Sequence, residues 1–238
     1  MHKILILFLL FFISCKEITP KKKLIFFTNS TFEQKKDSVF VDSLSQIKQE
    51  IFAQIYDSNN DQSFEQGKLS KGIRVGLWKS YIEMLDLPIL YEEKLYSQEG
   101  DLRNFKAYDY NTKQIIEDKN YFNDHLTGIQ KEFYPDGKLH ISFETDEKGK
   151  FVNDFIVLSE KGEKIFTSHL GSQGTGYIKY YDKDNFLIWE GLFKNKKKEG
   201  WHHEYILDGA VKVETKSILY QDGQQLKTTK LLDRNKKN

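Results

Sequence analysis

Apolar and polar positions fall into three patterns along this chain. Residues 4–13 (ILILFLLFFI) are apolar without interruption. Over residues 39–56, Leu44, Ile47, Ile51, Phe52 and Ile55 recur at helical spacing, with Asp42 or Ser43 as a cap and Ser58, Asn59 and Asn60 as a stop. That spacing predicts one amphipathic helix, whose apolar stripe covers the end of the domain that follows. Beyond Gly67 the pattern changes to short alternating stretches cut by polar, glycine-bearing turns, which predicts strands joined as hairpins.

The hairpin region repeats. Gly76, Gly100, Gly128, Val152, Gly176 and Gly200 are separated by 24, 28, 24, 24 and 24 residues. Five residues after each stand Tyr81, Phe105, Phe133, Val157, Tyr181 and Tyr205. With only 14% aromatics in the chain, a ring in five of six registers is a structural period. Turn signals follow the rings: YPDGK at 134–138, SEKGE at 159–163, DKDN at 182–185 and LDGA at 207–210. Asp, Asn and Gly tolerate the positive φ of tight turns. A second set, NDHLTG at 123–128 and KNKKKEG at 194–200, precedes the repeating glycine. Each unit therefore reads as strand, turn, aromatic strand, turn. One hairpin cannot bury its apolar face alone, so the units are expected to stack into one continuous face. On this reading Trp78, Tyr81, Phe133, Tyr181, Trp201 and Tyr205 form a buried ladder.

The clearest units are GKLSKGIRVGLWKSYIE, NDHLTGIQKEFYPDGKL and GLFKNKKKEGWHHEYILDGAVKVE. They resemble MORN repeats in their bacterial variant form, roughly G-x-W-x-x-Y-x-x-x-G-x-L. The resemblance falls on Gly76, Trp78 and Tyr81, on Gly128, Phe133, Gly137 and Leu139, and on Gly200, Trp201, Tyr205 and Gly209. Trp201 stands one position early, Ile129-Gln130 replaces the tryptophan, and the units at Gly100 (with Phe105) and Val152 are degenerate; Gly176 and Tyr181 keep the spacing. The resemblance implies a mainly β fold, an array of β-hairpin repeats in an elongated, twisted antiparallel sheet, here with one N-terminal helix. It also implies an antitoxin-like role of the YwqK type, hence a protein partner.

The apolar run at residues 4–13 is about half the length a membrane-spanning helix needs and follows a short start bearing Lys3, as in a secretory signal. It ends at Ile13, Ser14 and Cys15, the only cysteine. A core thiol belongs inside a domain, and the flanking KEITPKKK offers no histidine to activate a nucleophile. The stretch resembles the lipobox of bacterial lipoproteins, with Phe12 where that family usually has Leu. The resemblance implies cleavage before Cys15, acylation of its sulfur (palmitate or a similar chain) and export to the cell envelope, lipid-anchored to a bacterial membrane, the outer one being expected. Each buried methylene contributes about 0.8 kcal/mol, so two or three chains hold a protein effectively permanently. The expected organisation is a lipoprotein signal at 1–14, a lipidated tether at 15–35, a helical cap at 36–60, hairpin repeats at 61–230 and a polar tail at 231–238.

Charge and chemistry narrow the function. The chain carries 36 Lys and Arg against 35 Asp and Glu; without residues 1–14, which contribute Lys3 and no acid, the balance is 35 against 35. That balance excludes a phosphate-driven nucleic-acid binder. His125, His140, His169, His202 and His203 make no metal-type pair, and His202 and His203, adjacent on a strand, point to opposite faces. GSQGTG at 171–176 lacks the Lys-Ser/Thr of a phosphate loop and reads as a flexible loop between units. No catalytic residue, metal ligand or cofactor is expected. The reading is a membrane-anchored repeat sheet, not an enzyme, that binds another protein. The alternative is a structural or surface-binding envelope protein touching lipid head groups or cell-wall glycan through lysines such as 21–23 and 196–198.

Overall fold

The computed structural model describes residues 22–230 except 42, 58, 59, 86 and 210. The signal segment, Cys15 and the polar tail lie outside the described residues. The strands are β1 (Lys22–Phe27), β2 (Lys35–Val41), β3 (Glu50–Asp57), β4 (Asn60–Ser70), β5 (Ile73–Met84), β6 (Leu87–Tyr96), β7 (Leu102–Tyr108), β8 (Ile115–Phe122) and β9 (His125–Leu126). They continue as β10 (Gly128–Phe133), β11 (Leu139–Thr145), β12 (Phe151–Leu158), β13 (Lys164–Gly171), β14 (Gly176–Tyr181), β15 (Leu187–Lys194), β16 (Lys197–Asp208), β17 (Val211–Gln221) and β18 (Gln224–Lys230). A thirteen-stranded antiparallel sheet runs β13-β12-β11-β10-β8-β7-β6-β5-β4-β3-β1-β2, with β9 beside β8; a five-stranded sheet runs β14 to β18 in order. The expected hairpin array of open antiparallel sheets is therefore present.

The expected helix is absent. Residues 36–60 form most of β2, a single 3-10 turn at Leu44–Gln46, and β3, and the described residues contain no α-helix. The apolar positions fit two periods, and the strand period governs: Ile51, Ala53 and Ile55 are buried on one face of β3. Leu44 and Ile47 still cover that face, from the 3-10 turn. The expected tether is also shorter, because the LIFF of residues 24–27 lies in β1 between β2 and β3, with Leu24, Phe26 and Phe27 buried.

Two separate cores hold the long sheet. Leu24, Phe26, Ile51, Ala53, Ile55, Leu69 and Trp78 form one near the N-terminal strands. Ile141, Phe143, Phe155, Val157 and Leu170 form the other, closed from above by Ile178 and Phe193 of the second sheet. That end is a two-layer sandwich, with Phe151 and Phe193 in edge contact at 5.4 Å. The fold-over happens at residues 171–175. This segment is a tied corner rather than the expected flexible loop: Thr175 N donates to Leu170 O, Lys196 N donates to Gly174 O, and a Cβ at Gly174 would collide with the Phe151 carbonyl. Between the cores, the sole buried side chain on β6, β7 and β8 is Lys119.

Because the strands alternate in direction, the turns alternate between two rims. The turns β3–β4, β5–β6, β7–β8 and β10–β11 share the first rim; β4–β5, β6–β7 and β11–β12 share the second. Side chains carry the assignment to the second sheet: Tyr134 donates to Asn185 at 3.2 Å on the first rim, and Lys196 pairs with Asp146 at 3.0 Å on the second.

Candidate functional site

The repeat register has a physical basis that differs from the expected ladder. Gly76, Gly128 and Gly200 take φ of 68°, 73° and 67°, and nothing lies near where their Cβ would be. Glycine is there for the left-handed backbone, not for room. In the Val152 unit Asn153 takes that role at φ 54°. Gly100, Gly137 and Gly209 also have positive φ, whereas Gly176 instead abuts Leu170 and Ser168.

Two residues after the glycine, a side chain is buried and turned back onto the preceding strand. Trp78 Nε1 donates to Lys68 O (3.0 Å), His202 Nε2 to Leu192 O (2.8 Å) and Gln130 Nε2 to Asn120 O (3.3 Å), each ten residues back. Ile178 fills the same place by packing alone. A Cβ at Gly67 would overlap the Trp78 ring, and one at Gly191 the His202 ring, so these glycines make room for the locks. Gln130 and His202 were missed in the sequence because tryptophan was the template. The signal that would have found them is the shared N–H donor at the second position after glycine.

The fifth-position rings are not a buried ladder. Of the six residues expected to build it, Trp78 alone is buried; Trp201 is 39% exposed, and Tyr81, Phe133, Tyr181 and Tyr205 are half-buried. Tyr81, Phe133, Tyr181 and Tyr205 each lie beside a β-bulge whose extra residue, Tyr91, His140, Ile188 and Thr215 respectively, is on the neighbouring strand. Tyr81 stacks on Phe64 at 5.1 Å, Phe105 lies under Lys94 at 5.9 Å, and Tyr205 donates to Glu190 at 2.6 Å. Burial raises Tyr205, and although burial also opposes ionisation of Glu190, hydrogen bonds from Tyr205, Lys179 and Tyr177 hold that carboxylate below its ordinary range.

The long sheet presents a charged row on the face turned away from its cores. Lys79, Glu93, Lys106, Asp118 and Lys131 are successive cross-strand partners on β5, β6, β7, β8 and β10, alternating in sign. Lys79 and Glu93 pair at 3.2 Å, and Tyr108 donates to Glu93 at 2.8 Å. Leu77 and Leu95, cross-strand partners two residues from this row, add exposed apolar surface on the same face, as does Ile129 on β10. The combination of exposed aliphatic groups with fixed charges of both signs suits a protein surface of complementary pattern.

Two other clusters bring polar or titratable side chains together. On the second sheet, His203 Nδ1 lies 2.8 Å from Glu214 and 3.1 Å from Ser217 Oγ. Serine and carboxylate meet the same ring nitrogen, so the imidazole cannot take a proton on one nitrogen while being oriented through the other, and Ser217 is itself buried. The second cluster is a recess of about 660 Å³ lined by Phe151, Trp189, Phe193 and Tyr205, with lysines 196–198 at its mouth. Lys196 pairs with Asp146 and Lys197 with Asp222, both at 3.0 Å, while Lys198 lies over Tyr220 at 5.0 Å. Lys196 thereby ties the fold-over corner to the β11–β12 turn, while Lys197 and Lys198 are engaged within the second sheet. Among the described residues, no group of three or more His, Cys, Asp or Glu is arranged to hold a metal ion.

Two buried histidines make the fold acid-sensitive. Burial holds both His140, whose ring nitrogens have no hydrogen-bond partner, and His202 below the ordinary imidazole range. Each therefore stays neutral to a lower pH in the folded chain than in the unfolded one, so that just below about pH 6.5 the unfolded chain takes up protons more readily than the folded chain. Stability is full above that pH and is expected to fall on acidification, by up to about 1.4 kcal/mol per pH unit for each histidine. Urea unfolding across this range checks it: His140→Phe should flatten the slope, and an unchanged slope would remove His140 from the account. No protein-family model matches this chain, and a search of curated proteins finds no relative.

Proposed function

We propose that the chain is an envelope lipoprotein, held to a membrane by acyl chains on Cys15, whose repeat sheet binds another protein in the manner of an antitoxin or immunity protein. The observation that carries the binding half of this reading is the face of β5–β8 and β10 bearing Lys79, Glu93, Lys106, Asp118 and Lys131. This face is the one turned away from the cores: Trp78 of β5 packs into the N-terminal core and Glu132 of β10 accepts from Tyr180 of the second sheet (2.7 Å), each adjacent in sequence to a charged-row residue and on the other side of its strand. The anchor half rests on the run at residues 4–13 ending at Cys15 and on the resemblance to lipoprotein signals. The repeat spacing and the hairpin array support the MORN-like reading, and with it the expectation of a protein partner.

The test is crosslinking in intact cells of the producing organism, followed by purification and mass spectrometry, for the native chain and for Lys106→Glu/Lys131→Glu. One protein recurring in near-equal amount with the native chain, and recovered at least about tenfold less with the variant, is the expected result. Recovery of lipid or cell-wall fragments alone would overturn the protein-binding reading. Equal recovery of one protein with both chains would move the interface to another surface.

A further inference from the structure

The first rim carries a feature that the binding face does not use. The four most exposed large apolar side chains among the described residues are Leu85 (96%), Leu87 (68%), Phe40 (67%) and Val211 (63%). All four lie at this rim: Leu85 and Leu87 at the β5–β6 tip, Phe40 opposite Lys23 at the end of β2, and Val211 at the start of β17. Met84 at the same tip and Tyr110 in the adjacent β7–β8 turn are also exposed. The second rim has polar turns, SQEGD at 97–101, DEKGK at 146–150 and KNKKK at 194–198, with Ile73 (45%) and Leu226 (56%) as its exposed apolar groups. The first rim also has polar turns, YPDGK at 134–138 and DKDN at 182–185, so its apolar exposure is concentrated at the β5–β6 tip and around it.

The tip itself is shaped against ordinary turn chemistry. Leu85 has φ 51°, a left-handed conformation that turns normally assign to glycine or asparagine. A branched apolar residue placed there, almost wholly in solvent, gains nothing from the fold. It gains if the solvent is lipid.

The anchor enters at the same rim. β1 begins at Lys22, Lys23 pairs with Tyr56 near the β3–β4 turn, and Cys15 stands about seven residues earlier, a reach of at most about 25 Å. Strands are spaced about 4.8 Å apart, so the β5–β6 tip lies about 15 to 20 Å from β1 along the rim, within that reach. Lys22 and Lys23 flank the entry point and suit anionic head groups, while Tyr110 suits the interfacial zone.

The geometry points to the first rim as the surface that rests on the membrane, with Leu85 and Leu87 of the β5–β6 tip reaching into the head-group zone beside the Cys15 anchor, a depth compatible with the charge of Asp86, which stands between them in the sequence. This rests on the lipoprotein reading above. Two contacts, the acyl chains and the tip, would fix the orientation of the sheet, stand its strands away from the bilayer and leave the charged face open to a partner.

The test uses the full chain purified from membranes of the producing cells and reconstituted in phosphatidylethanolamine and phosphatidylglycerol vesicles containing bromine-labelled lipid as a quencher. With Cys15 acylated, an introduced cysteine is the one free thiol. Leu85→Cys, Leu87→Cys and, on the opposite rim, Lys148→Cys are each labelled with a thiol-reactive fluorophore. Quenching several-fold stronger at 85 and 87 than at 148 is expected. If the native chain takes up no label and remains in the vesicles, yet 85 and 87 are quenched no more than 148, the rim assignment fails while the anchor stands. If the native chain is itself labelled, Cys15 is free and both fail.

Discussion

Replacing Trp78 by alanine is expected to lower the unfolding free energy by about 4 kcal/mol, read from the urea midpoint at constant m. The ring is 2% exposed, lies over Gly67 and donates to Lys68 O, so the change opens a cavity and strands a carbonyl at once. Trp78→Phe separates the two effects, since it keeps most of the volume and loses the donor. A loss below about 1 kcal/mol for the alanine variant would show that the lock is decorative and that the N-terminal core does not depend on it.

The second large effect is expected from Phe155→Ala, also about 4 kcal/mol. Phe155 is fully buried in the other core, with Phe143, Phe151 and Phe166 at 5.7, 5.9 and 6.5 Å. Because Trp78 and Phe155 belong to different clusters with an unbacked stretch of sheet between them, their effects should add within about 0.5 kcal/mol. Amide hydrogen exchange should show Trp78→Ala raising exchange in β1–β5 and Phe155→Ala raising it in β11–β15. Uniform acceleration by either variant would mean that the open middle strands couple the ends into one cooperative unit.

The hairpin architecture was legible because its signals are local: Asp-Gly turns at 136–137 and 208–209, alternating strands, and one glycine period. The period was also right in place but wrong in meaning. It located the positive-φ glycines, yet the burial assigned to Phe133, Tyr181 and Tyr205 belongs to Gln130, Ile178 and His202 of the same units, whose side chains share a position rather than a type. Burial on the inner side is decided by what the neighbouring strand leaves open, as Gly67 and Gly191 do, and that pairing is non-local. The helix misread at 36–60 has a related cause. Ile51 and Ile55 fit both periods, and their place in the sheet depends on β1 pairing with β3 across residues 27 to 52, a contact no window of that length contains. The charged face was equally hidden, since Lys79, Glu93, Lys106, Asp118 and Lys131 become a row only once five strands are in register.

The locks formed by Trp78, Gln130 and His202 all point the same way, toward a carbonyl ten residues earlier. A polypeptide is synthesised from its N-terminus, so each acceptor strand exists before the side chain that fastens onto it. No lock has to wait for residues still unmade. The array can therefore be assembled vectorially, one hairpin clicking onto the last as it emerges, with the open edge always at the growing end and the second sheet, made after the fold-over at 171–175, closing over the C-terminal core at the end.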